Sequence, residues 1–115
     1  MAARVEVEFD VFSGMPNPTW VLTDAEADSF VAQVSALPPT APAKLSGNLG
    51  YRGFIVHVTL GPESWLVYVQ NGAVDITKNA TTVDARDEGR RLERWLLDTG
   101  KPHLDDELFE LPGLG

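Results

Sequence analysis

Hydrophobic and polar residues alternate at the start of the chain, so that residues 4–12 place every second side chain on the same face. The apolar face of this segment carries Val5, Val7, Phe9 and Val11. Such alternation predicts a half-buried β-strand. Residues 13–18 form a turn with two prolines, which exclude both a helix and a central strand, and residues 19–22 predict a short returning strand.

A helical pattern replaces the alternation after Thr23. Thr23 and Glu26 have the spacing of a capping box, in which each residue caps the other's backbone. Apolar residues then recur every three or four positions, as on one face of a helix. The pattern predicts a helix over residues 24–36, and Pro38-Pro39 ends it.

Residues 54–77 predict an antiparallel meander of three strands. Asn71-Gly72 is typical of a two-residue type I′ turn and sets the register of the second and third strands. A four-residue loop over 61–64 would set the first pairing. In that register Leu60 lies opposite Trp65, and Val58 lies opposite Val67.

The last regular element predicted is a helix over residues 83–98, with Thr81 or Thr82 as its N-cap, Gly89 on its apolar face and Gly100 at its end. The order β-β-α-β-β-β-α predicts an α+β fold. We expect a two-layer sandwich in which both helices cover one face of a mainly antiparallel sheet. Residues 1–100 form the predicted domain, and residues 101–115 an acidic and apolar tail.

Composition narrows the classes of function. The chain has 115 residues, no cysteine and a net charge of −8. Without cysteine there is no disulfide framework and no thiolate site. The negative charge disfavours binding to nucleic acid or to an anionic membrane. No signal peptide or membrane-spanning apolar run is visible, so we expect a cytoplasmic protein.

The predicted register brings three titratable side chains together on the solvent-facing side of the meander. His57 lies opposite Tyr68, and Tyr68 lies opposite Asp75. Histidine beside a carboxylate can serve acid–base chemistry. However, the row contains no nucleophile, and polar cross-strand pairs are common on solvated sheet faces. We therefore expect binding rather than catalysis, with a small enzyme as an alternative.

Oxygen-bearing side chains gather around the proline turn: Glu8, Asp10, Ser13 and Asn17. Carboxylate and amide oxygens on a turn are the ligands that Ca²⁺ prefers. The spacing matches no EF-hand loop, and like charges on one strand also protect a sheet edge. No cofactor is otherwise expected, so calcium or another divalent cation is the alternative ligand.

Three further segments carry residues suited to binding a partner. Arg86, Arg90 and Arg94 would form one stripe on the second helix. The turn is flanked by aromatic residues, and rigid aromatic loops lose little entropy on contact. The tail contains large apolar residues that can dock on a partner or on the domain itself. The candidate contacts outside the arginine stripe are Phe12, Asn17, Trp20, Leu108 and Phe109.

These patterns favour a small, non-catalytic interaction module. It would bind a protein partner, or a second copy of itself, through the open sheet face, the proline-rich turn or the C-terminal tail. A divalent-cation binder using the Asp10–Asn17 turn is one alternative, and a small enzyme using His57, Tyr68 and Asp75 is another.

Overall fold

The alternating segments form one antiparallel sheet in the computed structural model, which describes residues 3–11, 16–40 and 52–113. Within these ranges the sheet has six strands in the order β2-β1-β3-β4-β5-β6. Together with the helices it confirms the predicted α+β fold. The strands are β1 (Arg4–Phe9), β2 (Thr19–Val21), β3 (Phe54–Leu60), β4 (Glu63–Gln70), β5 (Ala73–Lys78) and β6 (Thr81–Arg86).

The described helices are α1 (Asp24–Ser35), α2 (Arg91–Gly100) and the short α3 (Asp106–Glu110). The capping box predicted for α1 is present, because the Thr23 hydroxyl accepts a hydrogen bond from the Glu26 amide and the Glu26 carboxylate accepts one from the Thr23 amide. Among the described residues, no helix is both long and apolar enough to cross a membrane.

The core lies between the helices and one face of the sheet. Apolar side chains from alternate positions of all six strands meet those of α1 and α2 in a single cluster. Phe9 and Phe54 stack at its centre, with ring centroids 5.2 Å apart. Gly100, the last residue of α2, packs so closely on Trp20 that an added Cβ would overlap the indole ring. The close contact between α2 and the sheet therefore lies at Gly100.

The pairing of β3 with β4 differs from the prediction by two residues. The connection has two residues, Gly61 and Pro62, rather than four, and Val58 lies opposite Trp65 instead of Val67. Gly61 adopts φ +60°, the positive value that a primed hairpin turn needs at its first central position. Because the shift is even, every side chain stays on its predicted face. The predicted register of β4 and β5 is confirmed, with Val67 opposite Ile76.

The helix predicted for 83–98 begins eight residues later, and neither Thr81 nor Thr82 caps it. Residues 81–86 are instead the sixth strand. Thr81, Thr82 and Val83 are all β-branched, which favours a strand over a helix. Asn79, at φ +56°, makes the turn that returns the chain from β5. Gly89, at φ +65°, lies in a 3-10 turn before α2 and not on a helix face.

Residues 101–113 fold back onto the helical side of the domain. His103 stacks on Trp20 with nearly parallel rings. Leu104, Leu108 and Phe109 are partly buried against the core, and Pro112 is buried. The tail was expected to dock either on a partner or on the domain itself, and these contacts correspond to docking on the domain.

Candidate functional site

The candidate site is the sheet face that points away from α1 and α2, which we call the outer face. The Asn17 side chain reaches one corner of it, and no helix of the described residues packs on it. Its centre is apolar and aromatic, and acidic side chains lie on both sides. The residues that define it are Arg4, Glu6, Glu8, Thr19, Val21, Ile55, His57, Thr59, Ser64, Leu66, Tyr68, Gln70, Ala73, Asp75, Thr77, Thr82, Asp84 and Arg86.

The row of His57, Tyr68 and Asp75 predicted on this face is not assembled. Tyr68 does lie opposite Asp75, but its partner on β3 is Ile55. His57 lies opposite Leu66 and, on β1, opposite Glu6. Its Nε2 is 3.7 Å from a Glu8 carboxylate oxygen, which makes an ion pair when the imidazole is protonated. The two-residue shift between β3 and β4 therefore separates the histidine from the tyrosine and the aspartate.

The outer face instead brings together two carboxylates that the sequence analysis did not pair. Asp75 lies directly opposite Asp84 on β6, next to Tyr68 on β4. The Oδ1 atom of Asp75 is buried and has no hydrogen-bond partner among the described residues. Desolvation, and then the neighbouring Asp84 charge, raise the pKa of Asp75 above its ordinary value. Like charges directly opposite each other destabilise a sheet, so this pair is unfavourable for the isolated fold.

Sequence reasoning missed the pair because it assigned Asp84 to a helix. Once residues 81–86 form a strand, the Asn79 turn places Asp84 directly opposite Asp75. The signal that could have revealed it is the run Thr81-Thr82-Val83 after an asparagine, which is typical of a hairpin.

The acidic residues at the opposite side of the outer face form a closed polar cluster. The Asn17 amide nitrogen donates to Glu8 Oε2 at 2.8 Å and to Asp10 Oδ1 at 3.2 Å. Its amide oxygen accepts a hydrogen bond from the Val11 backbone. Arg52 Nη2 donates to the same Asp10 oxygen at 2.8 Å, and this contact raises the pKa of the guanidinium.

This cluster contains three of the four predicted cation ligands, Glu8, Asp10 and Asn17, while Ser13 lies outside the described residues. The Val11 amide fixes the Asn17 side chain so that its NH₂ group, not its oxygen, faces the carboxylates. A cation bound there would have to displace Arg52 and turn the amide. In the described part of the chain, no three acidic or histidine side chains converge as a metal site. The divalent-cation site stays a prediction.

The predicted arginine stripe does not form. Arg86 is on β6 and pairs with Glu88, whereas Arg94 is an exposed residue of α2. Arg90 precedes α2 in the left-handed conformation, at φ +57°, and makes a two-point contact with the fully buried Glu93, at 3.0 and 2.9 Å. Its guanidinium also donates to the Pro112 carbonyl. Arg90 therefore connects the start of α2 to the end of the tail.

A buried aspartate completes this second cluster. Both oxygens of Asp87 accept backbone hydrogen bonds at the start of α2, from Leu92 at 2.8 Å and from Glu93 at 2.9 Å. A carboxylate there satisfies amides that a helix leaves unpaired and interacts favourably with the helix dipole. The structural role of Asp87, Arg90 and Glu93 at the start of α2 is therefore enough to explain why this cluster is present.

The remaining predicted contacts are distributed away from the outer face. Trp20 is buried, and its indole nitrogen donates to Thr99 at 3.0 Å. Leu108 and Phe109 pack against the core from α3. Phe12 lies outside the described residues.

The chain matches no protein-family model, no curated protein and no solved structure, so comparison with known proteins assigns no function to this site.

Proposed function

We propose that this protein is a non-catalytic interaction module that binds a protein partner through the outer face of its sheet. Ile55, Leu66 and Tyr68 form the apolar centre of the contact. Asp75 and Asp84 form its charged end, and the partner presents a basic side chain beside apolar ones.

The apolar centre has the make-up of a protein interface. Ile55, Leu66 and Tyr68 are neighbours on β3 and β4, and each is only partly buried. Val21, at the β2 edge of the same face, is 49% exposed. Interfaces bury apolar and aromatic side chains at their centre and keep polar groups at the rim, which is the arrangement found across this sheet.

The observation that carries the proposal is the unsatisfied carboxylate of Asp75. Its buried Oδ1 lacks a donor among the described residues, and Asp84 adds a second negative charge directly opposite. An arginine or lysine of a partner would cancel the repulsion, and it would supply the missing hydrogen bond once the Asp75 carboxylate turns Oδ1 toward the outer face. Charge-assisted hydrogen bonds of this kind are roughly twice as strong as neutral ones.

The outer face is a better candidate than the two other surfaces that the sequence suggested. In the tail, the apolar side chains of Leu108 and Phe109 are already engaged with the core. At the proline-rich turn, the Asn17 side chain is held by hydrogen bonds with Glu8 on β1 and with the Val11 amide. Among the described residues of these two surfaces, no buried polar atom lacks a hydrogen-bond partner as Asp75 Oδ1 does.

Quantitative partner capture tests the proposal. The wild-type protein and the variants Leu66→Lys and Asp75→Lys serve as baits, with chemical cross-linking to map the contact. Leu111→Lys is the matched control, because Leu111 is 49% exposed but lies on the tail. We expect the two outer-face variants, but not the control, to lose at least about tenfold of a partner cross-linked to β3–β5, since hot-spot residues contribute about 2 kcal/mol or more.

Size-exclusion chromatography covers the case in which the partner is a second copy of the chain. A wild-type protein that stays monomeric and captures no partner sensitive to either outer-face variant would contradict the proposal. Equal loss with Leu111→Lys would contradict it as well, because the effect would then be unrelated to the outer face.

A further inference from the structure

A cavity lies on the helical side of the sheet, away from the outer face, where the end of α1 meets β5 and β6. Its volume is about 290 Å³, just below the range of about 300–1,000 Å³ typical of pockets for drug-sized ligands. Its apolar walls come from α1, from the segment after it and from the two strands. The residues that form these walls are Val34, Leu37, Pro39, Ile76, Val83 and Ala85.

The shape of the cavity follows from the chain around it. Pro39 pairs with Ala85 across the edge of β6, and the Thr40 amide donates to the Asp84 carbonyl, so Pro39 is held in place as part of one wall. Val83 projects from the helical side of β6 and is 48% exposed, which is high for a large aliphatic residue next to a core. The walls are therefore held by backbone hydrogen bonds, while part of their apolar surface faces solvent.

The described lining contains a single charged residue, Lys78, and no acid. Lys78 has no carboxylate partner among the described residues, although the chain as a whole has a net charge of −8. Its ammonium group lies 4.1 Å from the centre of the Trp65 ring, a cation–π contact that restrains the side chain at the rim of the cavity. Ser35 adds a hydroxyl at the exposed end of α1.

We propose that this cavity binds a small apolar carboxylate, with the hydrocarbon part against Val34, Ile76 and Val83 and the carboxylate on Lys78. An apolar wall favours a hydrocarbon chain or ring because burial removes its surface from water. A lone ammonium at the rim selects an anion over a neutral or cationic head group. The volume limits the ligand to one smaller than a typical drug. This site does not depend on the proposed role of the outer face.

Titration of the full chain with octanoate and with octanamide tests the proposal, followed by the amide NMR signals of Ile76, Val83 and Ala85. We expect octanoate to shift these signals and to bind about three- to tenfold more tightly than octanamide, as expected for one ammonium–carboxylate contact at a protein surface. Lys78→Gln should lower octanoate affinity to that of octanamide. Lys101→Gln is the matched control, because Lys101 also lies over an aromatic ring, that of Phe109.

A second variant keeps the test decisive. Ser35→Phe changes an exposed residue at the mouth of the cavity, so we expect it to fold normally and to block both ligands. The proposal is overturned if neither ligand shifts the cavity signals, if both bind wild type equally, or if Ser35→Phe leaves octanoate binding intact. Equal weakening by Lys101→Gln and Lys78→Gln would also overturn it, since the effect would then reflect net charge alone.

Discussion

Two pairs of acidic residues lie fewer than twenty positions apart, but they differ in whether their carboxylate oxygens have hydrogen-bond donors. Asp87 and Glu93 are almost completely buried, yet every one of their carboxylate oxygens accepts a hydrogen bond. Asp75 and Asp84 are only partly buried, yet they face each other, and one Asp75 oxygen has no donor in the described part of the chain. Burial alone therefore does not decide which carboxylates are satisfied.

The difference follows from the backbone to which each pair is attached. The start of a helix leaves several amide groups unpaired, and these are ready donors for a carboxylate such as Asp87. A strand inside a sheet has no such amides, because its N–H groups already pair with the neighbouring strands. A carboxylate on a sheet face must therefore take its donors from side chains, from water or from a ligand.

The Asn17 cluster illustrates the side-chain solution on the same sheet. Glu8 also projects from a strand and Asp10 directly follows it, but Asn17 and Arg52 supply donors to them. No described residue donates a hydrogen bond to the buried Oδ1 atom of Asp75. The comparison identifies the Asp75–Asp84 pair as the acidic group that a partner would stabilise most.

The largest effect is expected from breaking the buried cluster at Glu93. Glu93→Ala removes both hydrogen bonds that the Arg90 guanidinium donates to the Glu93 carboxylate, and it leaves a cavity under α2. Removing one member of a buried ion pair costs about 3–5 kcal/mol, and because the Arg90 side chain is 30% exposed, the free energy of unfolding in urea should fall by the lower end of that range. Glu107→Ala, an exposed site on α3, should change it little. Equal effects at the two sites would show that the cluster does not hold α2 in place.

A smaller loss is expected from removing the donor of the sheet cluster. Asn17→Ala deletes the hydrogen bonds to Glu8 and Asp10 and leaves the Val11 amide without its acceptor. We expect a loss of about 1–3 kcal/mol, measured by thermal or urea unfolding.

Asn17→Asp sharpens the same experiment. It places a third carboxylate beside Glu8 and Asp10, so its stability should fall further and recover when Ca²⁺ is added. Calorimetry of the wild-type protein with Ca²⁺ and Mn²⁺ tests the original divalent-cation hypothesis directly. Heat of binding with a raised melting temperature in wild type would show that the Asn17 cluster opens to a cation.

The sequence predicted the fold better than it predicted the site, and the reason lies in periodicity. A side chain's face depends only on odd or even position, so an error of two residues between β3 and β4 left the core intact. The same error moved His57 from Tyr68 to Leu66, because a site depends on neighbours and not only on faces. Gly61-Pro62 suggested a longer loop, since proline is rare in strands.

The start of α2 was harder to place for a different reason. Residues 83–98 have a helical apolar period, and this period alone does not separate a strand from a helix over its first few positions. The decisive features are a β-branched run and two left-handed residues, Gly89 and Arg90, which lie between Asp87 and the helix start that its carboxylate caps. Such tertiary contacts cannot be read from spacing alone.

The smallest effect, and the sharpest for the comparison, is expected at Asp75. Its pKa is raised in the folded state, so the folded protein holds this proton more tightly than the unfolded chain does. The associated stability is fully present below the ordinary value of about 3.9 and is lost as the pH rises through the raised folded value. At pH 7 the ionised carboxylate therefore destabilises the fold. Asp75→Asn should raise the free energy of unfolding there by about 0.5–1 kcal/mol, the size of one unfavourable cross-strand pair.

The same variant should show no gain at pH 3, where the carboxyl is neutral in both states. Asp28→Asn, at an exposed position of α1, is the control and should change little at either pH. A gain that is equal at pH 3 and pH 7 would mean that the Asp75 charge is not its source. A gain confined to neutral pH, together with loss of partner capture by Asp75→Lys, would connect the instability of this carboxylate to binding. The two acidic pairs would then differ in purpose: one stabilises the chain by itself, and the other becomes stable only in a complex.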